Sequence, residues 1–205
     1  MQAIQTVVEY FLKGGFVMWP LLICSVIVVA IAIERFLYYR EVDSGDAFTE
    51  NYCNLLAQQR EKDASELACC CKGHCATIVA GAGCYCCCNQ CRAYLEAEGG
   101  IAIARLRSKL NYLSIIVTMA PLLGLLGTIV GMINSFSIFD LQAGEPMAIT
   151  GGIGEALIAT ATGLCVAIMA LCVHSYFVHR LDGIITNMEQ CFAALLRNKT
   201  RGELQ

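Results

Sequence analysis

Charge is scarce in this sequence. Asp, Glu, Lys and Arg make up 15% of its 205 residues, while 57% are hydrophobic. A soluble domain carries nearer a quarter charged residues, so the composition argues against one. The formal charge of −3 comes with no basic stripe that could track a phosphate backbone, which excludes nucleic acid as a partner. Catalytic signatures are missing as well. There is no phosphate-cradling glycine loop, no Ser-His-Asp order and no HExxH, and His74, His174 and His179 are isolated from one another. The chain does not read as an enzyme and implies no cofactor. Residues 1–15 lack a basic n-region ahead of their apolar part, so they are not a cleaved signal peptide. Val7, Val8, Phe11 and Leu12 instead give that segment the apolar face of an interfacial amphipathic helix.

Elsewhere charge is absent altogether. Phe16 to Ile33, Leu110 to Phe139 and Ala156 to Val178 contain no Asp, Glu, Lys or Arg. About 20 apolar residues cross a hydrocarbon core as a helix, so each stretch is long enough or nearly so. The predicted fold is an all-α integral membrane protein with three transmembrane helices and long cytoplasmic helical extensions. Its expected parts are an amphipathic segment 1–15, spans at 16–36, 110–139 and 151–178, and a cytoplasmic helical region 37–109. A periplasmic loop 140–150 and a C-terminal cytoplasmic helix 179–205 complete it. Trp19 near one end of the first span and Tyr38 and Tyr39 beyond the other suit the two interfaces. Glu34 and Arg35 close that span as a neighbouring ion pair or as two solvated charges. The segment before span two holds no Pro, so span two is expected to continue outward as one rod, weakened at Gly99 and Gly100 and bent at Pro121. Leu181, Ile184, Ile185, Met188 and Phe192 form one apolar side of the last helix.

Lys and Arg are unevenly placed. The region after span one and its flanks hold nine, the C-terminal tail four, the N-terminal segment one and the second connection none. Because positive residues stay cytoplasmic, the N-terminus is expected outside, and the large loop and the tail inside.

Small and hydroxyl residues recur at helical spacing on spans two and three. Gly124, Thr128, Gly131 and Ser135 share one face, and Ala156, Thr160, Gly163, Ala167 and Ala170 repeat the stepping, with His174 extending it. Between lipid-soluble helices, small side chains permit the close approach that drives association. Gly124, Gly127, Gly131, Gly163 and Ala167 are therefore the candidate packing residues. A threonine in such a face can line a pore or bond its own i−4 carbonyl. Glu155 is costly at the edge of a span unless it faces water or a bundle interior. Alternatively it is a first-turn carboxylate on the positive end of the helix dipole. If the spans carry a proton path, Thr128, Thr160, Thr162 and Glu155 are the side chains that offer it. No Asp or Glu lies in mid-span, and a hydroxyl can pass a hydrogen bond but cannot store a proton. Any carboxylate carrier must come from a partner. Moving one charge through 100 mV supplies about 2.3 kcal/mol to such a device.

Fourteen cysteines stand against this background, nine of them between Cys69 and Cys91. A reducing cytoplasm disfavours a disulfide framework there. Cys71, His74, Cys75, Cys88 and Cys91 offer soft ligands and one CxxC, the sharp alternative to cysteine used as a small hydrophobe. A Cys-rich membrane metal sensor or scaffold is the corresponding second reading of the whole chain.

APLLGLLGTIVGMI, followed about thirty residues later by GIGEALIATATGL, resembles the paired signature of the MotA/TolQ/ExbB proton-channel family. WPLLICSVIVVAIAIERF resembles the first span of its ExbB/TolQ branch. The resemblance implies an inner-membrane proton-channel subunit, with a pentameric ring of such subunits around the helices of an ExbD- or TolR-like single-span protein bearing a membrane aspartate. It further implies that proton flow energises either TonB-dependent outer-membrane transport, as for ExbB, or the Tol envelope system, as for TolQ, through a TonB- or TolA-like protein. The family's pore threonines correspond to Thr128 and Thr160, and its span-three glutamate to Glu155. Met169 stands where the family usually has proline, and Ser175 near its usual asparagine, which puts pore shape in question more than function. The cysteine run has no counterpart in the family pattern. A flagellar stator subunit would need four spans and a longer chain.

Overall fold

The computed structural model describes residues 15–85, 87–141 and 146–203, with side chains at 15–85, 87–136 and 151–202. The expected N-terminal amphipathic segment falls outside them, Gly15 excepted. Seven helices and no strand occur among the described residues: α1 Met18–Val42, α2 Asp46–Ala57, α3 Glu61–Cys70, α4 His74–Ala82, α5 Cys88–Arg107, α6 Leu110–Leu141 and α7 Pro146–Glu203. Three stretches are long and apolar enough to cross a membrane, within Met18–Ala57, Cys88–Phe136 and Gly151–Gly202. The protein is an all-α membrane protein.

The chain divides into two compact units, Met1–Ala32 with Asn111–Ser175, and Ile33–Leu110 with Tyr176–Gln205. In the first, Leu21, Val28, Leu113, Ala120, Ala159 and Ala170 are almost wholly buried. Many of its other large apolar side chains point outward, among them Ile23, Val26, Leu122, Leu125, Ile133, Leu157 and Ile168. A water-soluble protein does not sheathe itself this way, because exposed apolar patches of that extent mark lipid or partner surfaces. On α7 the exposed large apolar residues stop at Tyr176, and the residues beyond it alternate as in a soluble amphipathic helix.

The second unit is built as a water-facing helical domain. Leu181, Ile184, Met188, Cys191 and Leu195 of α7 are buried, and so are Tyr52 and Leu56 of α2, Ile78 and Val79 of α4, and Leu95 and Leu106 of α5. Gly73, with φ at +122°, makes the turn into α4. Any Cβ there would stand 2.9 Å from the Ser44 backbone, so glycine is required for fit as well as for conformation. Helix α5 passes through Gly99 and Gly100 unbroken. Phe192 of α7 packs on Gly99, where a Cβ would lie 2.8 Å from its ring. Two features depart from the sequence expectation. Helical pairing lapses at Ser108–Lys109, so the expected rod is two helices, α5 and α6. Helix α7 already begins at Pro146, inside the segment expected as a loop.

Candidate functional site

The small-residue faces of α6 and α7 meet within the first unit. A Cβ on Gly124 would lie 3.1 Å from Thr160 Cα, and one on Gly131 would lie 3.1 Å from Ala156 Cβ. Gly163 is tighter still: its Cβ would fall 2.7 Å from the Ala120 carbonyl oxygen and 3.0 Å from Gly124 Cα. Gly127 lies against Ala159 of α7 and Val17. The two backbones approach so closely because neither face carries a side chain larger than Thr at these points. Ala167 is buried on the same helix.

That approach sets the hydrogen bonding of the candidate hydroxyls. Thr160 Oγ1 donates to the Gly124 carbonyl oxygen across the helix pair at 3.0 Å. The other hydroxyls turn back on their own helices. Thr128 Oγ1 donates to the Leu125 carbonyl at 2.7 Å, Thr162 Oγ1 to that of Ile158 at 2.8 Å, and buried Ser135 Oγ to that of Gly131 at 2.8 Å. The structure therefore brings Thr160 to α6 one turn from Thr128, and does not join the two hydroxyls to each other. Each keeps its oxygen lone pairs as acceptors, since all these bonds use the O–H as donor.

Glu155 is half-buried, and its carboxylate lies against Gly15, whose φ is +70°. With α7 beginning at Pro146, Glu155 stands in the third turn of the helix rather than the first. The dipole effect falls off within the first turn, which removes the first-turn reading of this carboxylate. Gly152 lies inside α7, and Ser135 packs directly on it, where a side chain would not fit.

The described residues of the cysteine run are not gathered into a metal cage. Cys71 ends α3, His74 and Cys75 open α4, and Cys88 opens α5. Cys88 Sγ lies 3.4 Å from Thr200 Oγ1, and buried Cys91 donates its S–H to the Ala82 carbonyl. Among the described residues no three His, Cys, Asp or Glu side chains converge as metal ligands.

Sequence reasoning missed the burial of Arg35. The expected ion pair with Glu34 is present, Oε1 standing 3.7 Å from Nη2, but the Arg35 side chain is only 5% exposed. Nη1 reaches the carbonyl oxygens of Arg105 and Leu106, each at 3.4 Å. The guanidinium also lies over the Tyr38 ring, 5.0 Å from its centre. A lone arginine next to a glutamate carries no signal of such burial. The only hint was its place at the end of an apolar run.

Comparison with known proteins agrees with these features. The MotA/TolQ/ExbB proton channel family matches residues 88–190. The biopolymer transport protein ExbB-like 1 of Synechocystis is 34% identical over 182 residues, covering 83% of this chain and 70% of its own. Biopolymer transport protein ExbB of Salmonella typhimurium is 33% identical over 102 residues, 49% of this chain and 42% of its own. The Tol-Pal system protein TolQ of Pseudomonas aeruginosa is 37% identical over 90 residues, 42% of this chain and 39% of its own.

Proposed function

Because the chain belongs to the MotA/TolQ/ExbB proton channel family, in its ExbB/TolQ-like branch, we propose that it is the ring-forming subunit of an inner-membrane motor. The motor uses the proton motive force to energise TonB-dependent outer-membrane transport. Several relatives carry the ExbB name, which favours that duty over service in the Tol envelope system. The observation that carries the reading is the α6–α7 face. Hydroxyls at Thr128, Thr160 and Thr162 sit among apolar residues, yet no carboxylate lies within 110–139 or 156–178.

Such a face can pass protons along hydrogen bonds but cannot hold one, so the storing carboxylate is the membrane aspartate of an ExbD- or TolR-like partner. Five copies of the chain surround the partner's helices. Glu155, half-buried near one end of the α7 span, draws protons toward the hydroxyls. The nine cations in and around the 37–109 region and the four in the tail hold those parts in the cytoplasm, with the N-terminus in the periplasm.

Complementation separates the two duties. In a strain lacking both systems, the chain with its own partner restores uptake through a TonB-dependent receptor and leaves detergent sensitivity uncorrected. Correction of detergent sensitivity alone assigns it to the Tol system, and failure of both rejects the motor.

A further inference from the structure

Helices α1 and α7 end their outward apolar faces in the same way. On α1 the exposed large apolar side chains run through Phe36 and Leu37 and give way to Arg40. On α7 they stop at Tyr176, and Arg180 follows. Phe36 and Arg40 are four positions apart, as are Tyr176 and Arg180, so each ring shares a helix face with its arginine. The two pairs line one cleft, together with Tyr39 and Phe177. All six residues belong to the second unit.

The cleft has an apolar floor and a basic rim. Tyr39 and Phe177 are buried and meet edge to face, with ring centres 5.4 Å apart. The Tyr39 O–H already donates to the Leu106 carbonyl oxygen, so the floor offers a ligand no donor. The Arg40 guanidinium lies over the Phe36 ring, 5.9 Å from its centre, and pairs with no Asp or Glu among the described residues. Arg180 Nη2 stands 3.1 Å from Asp43 Oδ2, and the other Asp43 oxygen accepts the Gly45 N–H. One carboxylate thus serves two guanidiniums, and the rim keeps an excess of positive charge. Orientation alone asks only for positive charge on one side of the membrane, wherever it lies. It does not call for matched aromatic and arginine pairs on two helices around one cleft.

We propose that this cleft binds the headgroup phosphate of an anionic phospholipid, phosphatidylglycerol being the simplest, in the leaflet on the side of the second unit. Guanidinium forks match phosphate oxygens, and basic pockets between spanning helices take anionic headgroups. Arg40 and Arg180 hold the phosphate. Phe36 and Tyr176 sit at the depth of the ester groups, as interfacial aromatics do, and acyl chains lie along exposed Ile33 and Leu37. A zwitterionic lipid brings its own cation, which the charged rim disfavours, and both Asp43 oxygens are already engaged. A free phosphate would leave the exposed rings beside the arginines uncovered, so lipid is the favoured source. The site needs only a chain that spans a membrane, in either orientation and with or without proton conduction.

The test titrates phosphatidylglycerol or phosphatidylcholine into the full chain, delipidated in detergent micelles, and counts bound lipid by native mass spectrometry. The chain holds phosphatidylglycerol at concentrations where phosphatidylcholine leaves it bare, and only the former raises its melting temperature. Arg40→Gln with Arg180→Gln weakens phosphatidylglycerol binding about tenfold and abolishes the melting shift. Arg60→Gln with Arg92→Gln removes the same charge from the second unit outside the cleft and changes neither readout. Arg40→Gln alone breaks no described ion pair, so the fold survives it, and it already weakens binding severalfold. Equal binding of the two lipids overturns the proposal, and so does equal loss in the two double variants, the mark of diffuse charge. Displacement of the lipid by glycerol phosphate also overturns it, because the cleft would then be a site for free phosphate.

Discussion

Buried Arg35 of α1 donates from one nitrogen to the carbonyl oxygens of both Arg105 and Leu106, at the last turn of α5. Helical pairing lapses at Ser108–Lys109, and the end of a helix leaves carbonyls that need donors. The Tyr39 hydroxyl, 3.2 Å from the Leu106 oxygen, helps to meet that need, and Lys109 pairs with Glu34. Burial raises the Tyr39 pKa, which keeps that hydroxyl a donor at neutral pH.

Arg35→Met removes the donors while keeping much of the volume. The carbonyls of Arg105 and Leu106 then lose a charged partner in a buried place, at a cost of about 2 kcal/mol. Lys109→Ala breaks a pair whose side chains are 42% and 48% exposed, so it costs no more than about 0.5 kcal/mol. Thermal melts of the two variants in one detergent check the order. Equal losses would contradict this account of the α5–α6 junction.

Glycine substitutions separate fit from propensity. Gly163→Ala puts a methyl group against backbone atoms of α6, which cannot swing aside, so α6 and α7 must part. The expected loss is about 1–3 kcal/mol, the usual range for overpacking. Gly183→Ala meets nothing within 4 Å and gains helix propensity, so it is neutral or stabilises by up to about 1 kcal/mol. Melting of the pair, with oligomer size by light scattering, reads out both effects.

Orientation can be read with the cysteines already present. Cys69, Cys70, Cys84 and Cys87 are exposed in the second unit. With the cationic regions cytoplasmic, a membrane-impermeant maleimide labels them in inverted vesicles and leaves them unlabelled in intact spheroplasts. The opposite pattern would reverse the proposed topology.

The all-α membrane class was legible from three uncharged apolar stretches, because length and composition alone decide it. Contacts between distant residues were not. Helical spacing puts Gly124 and Thr160 on small-residue faces, but no period tells which carbonyl the Thr160 hydroxyl reaches. The early start of α7 was hidden because the third span was read from Gly151 on, while Pro146, which suits the first position of a helix, stood in the expected loop. The ion pair of Arg35 with Glu34 was legible, but its burial was not: its further partners are backbone oxygens some seventy positions away, which side-chain sequence does not record.

Glu155→Gln and Thr160→Val probe the proton path from two ends. The Thr160 change removes the only one of the candidate hydroxyls bonded across the helix pair and costs about 1 kcal/mol of stability. Thr160→Ser keeps the donor, so it retains both stability and flux. Glu155→Gln removes the charge proposed to draw protons, and the expected outcome is lower flux without loss of assembly.

Proton flux into liposomes, driven by an imposed potential, tests the central claim most directly. The chain reconstituted with its aspartate-bearing single-span partner conducts, and the chain alone does not. Thr160→Val lowers the flux of the complex by about tenfold, the factor that roughly 1.4 kcal/mol at the limiting barrier produces. Equal flux with and without the partner, or no flux from the assembled complex, would contradict a channel whose proton carrier is supplied in trans.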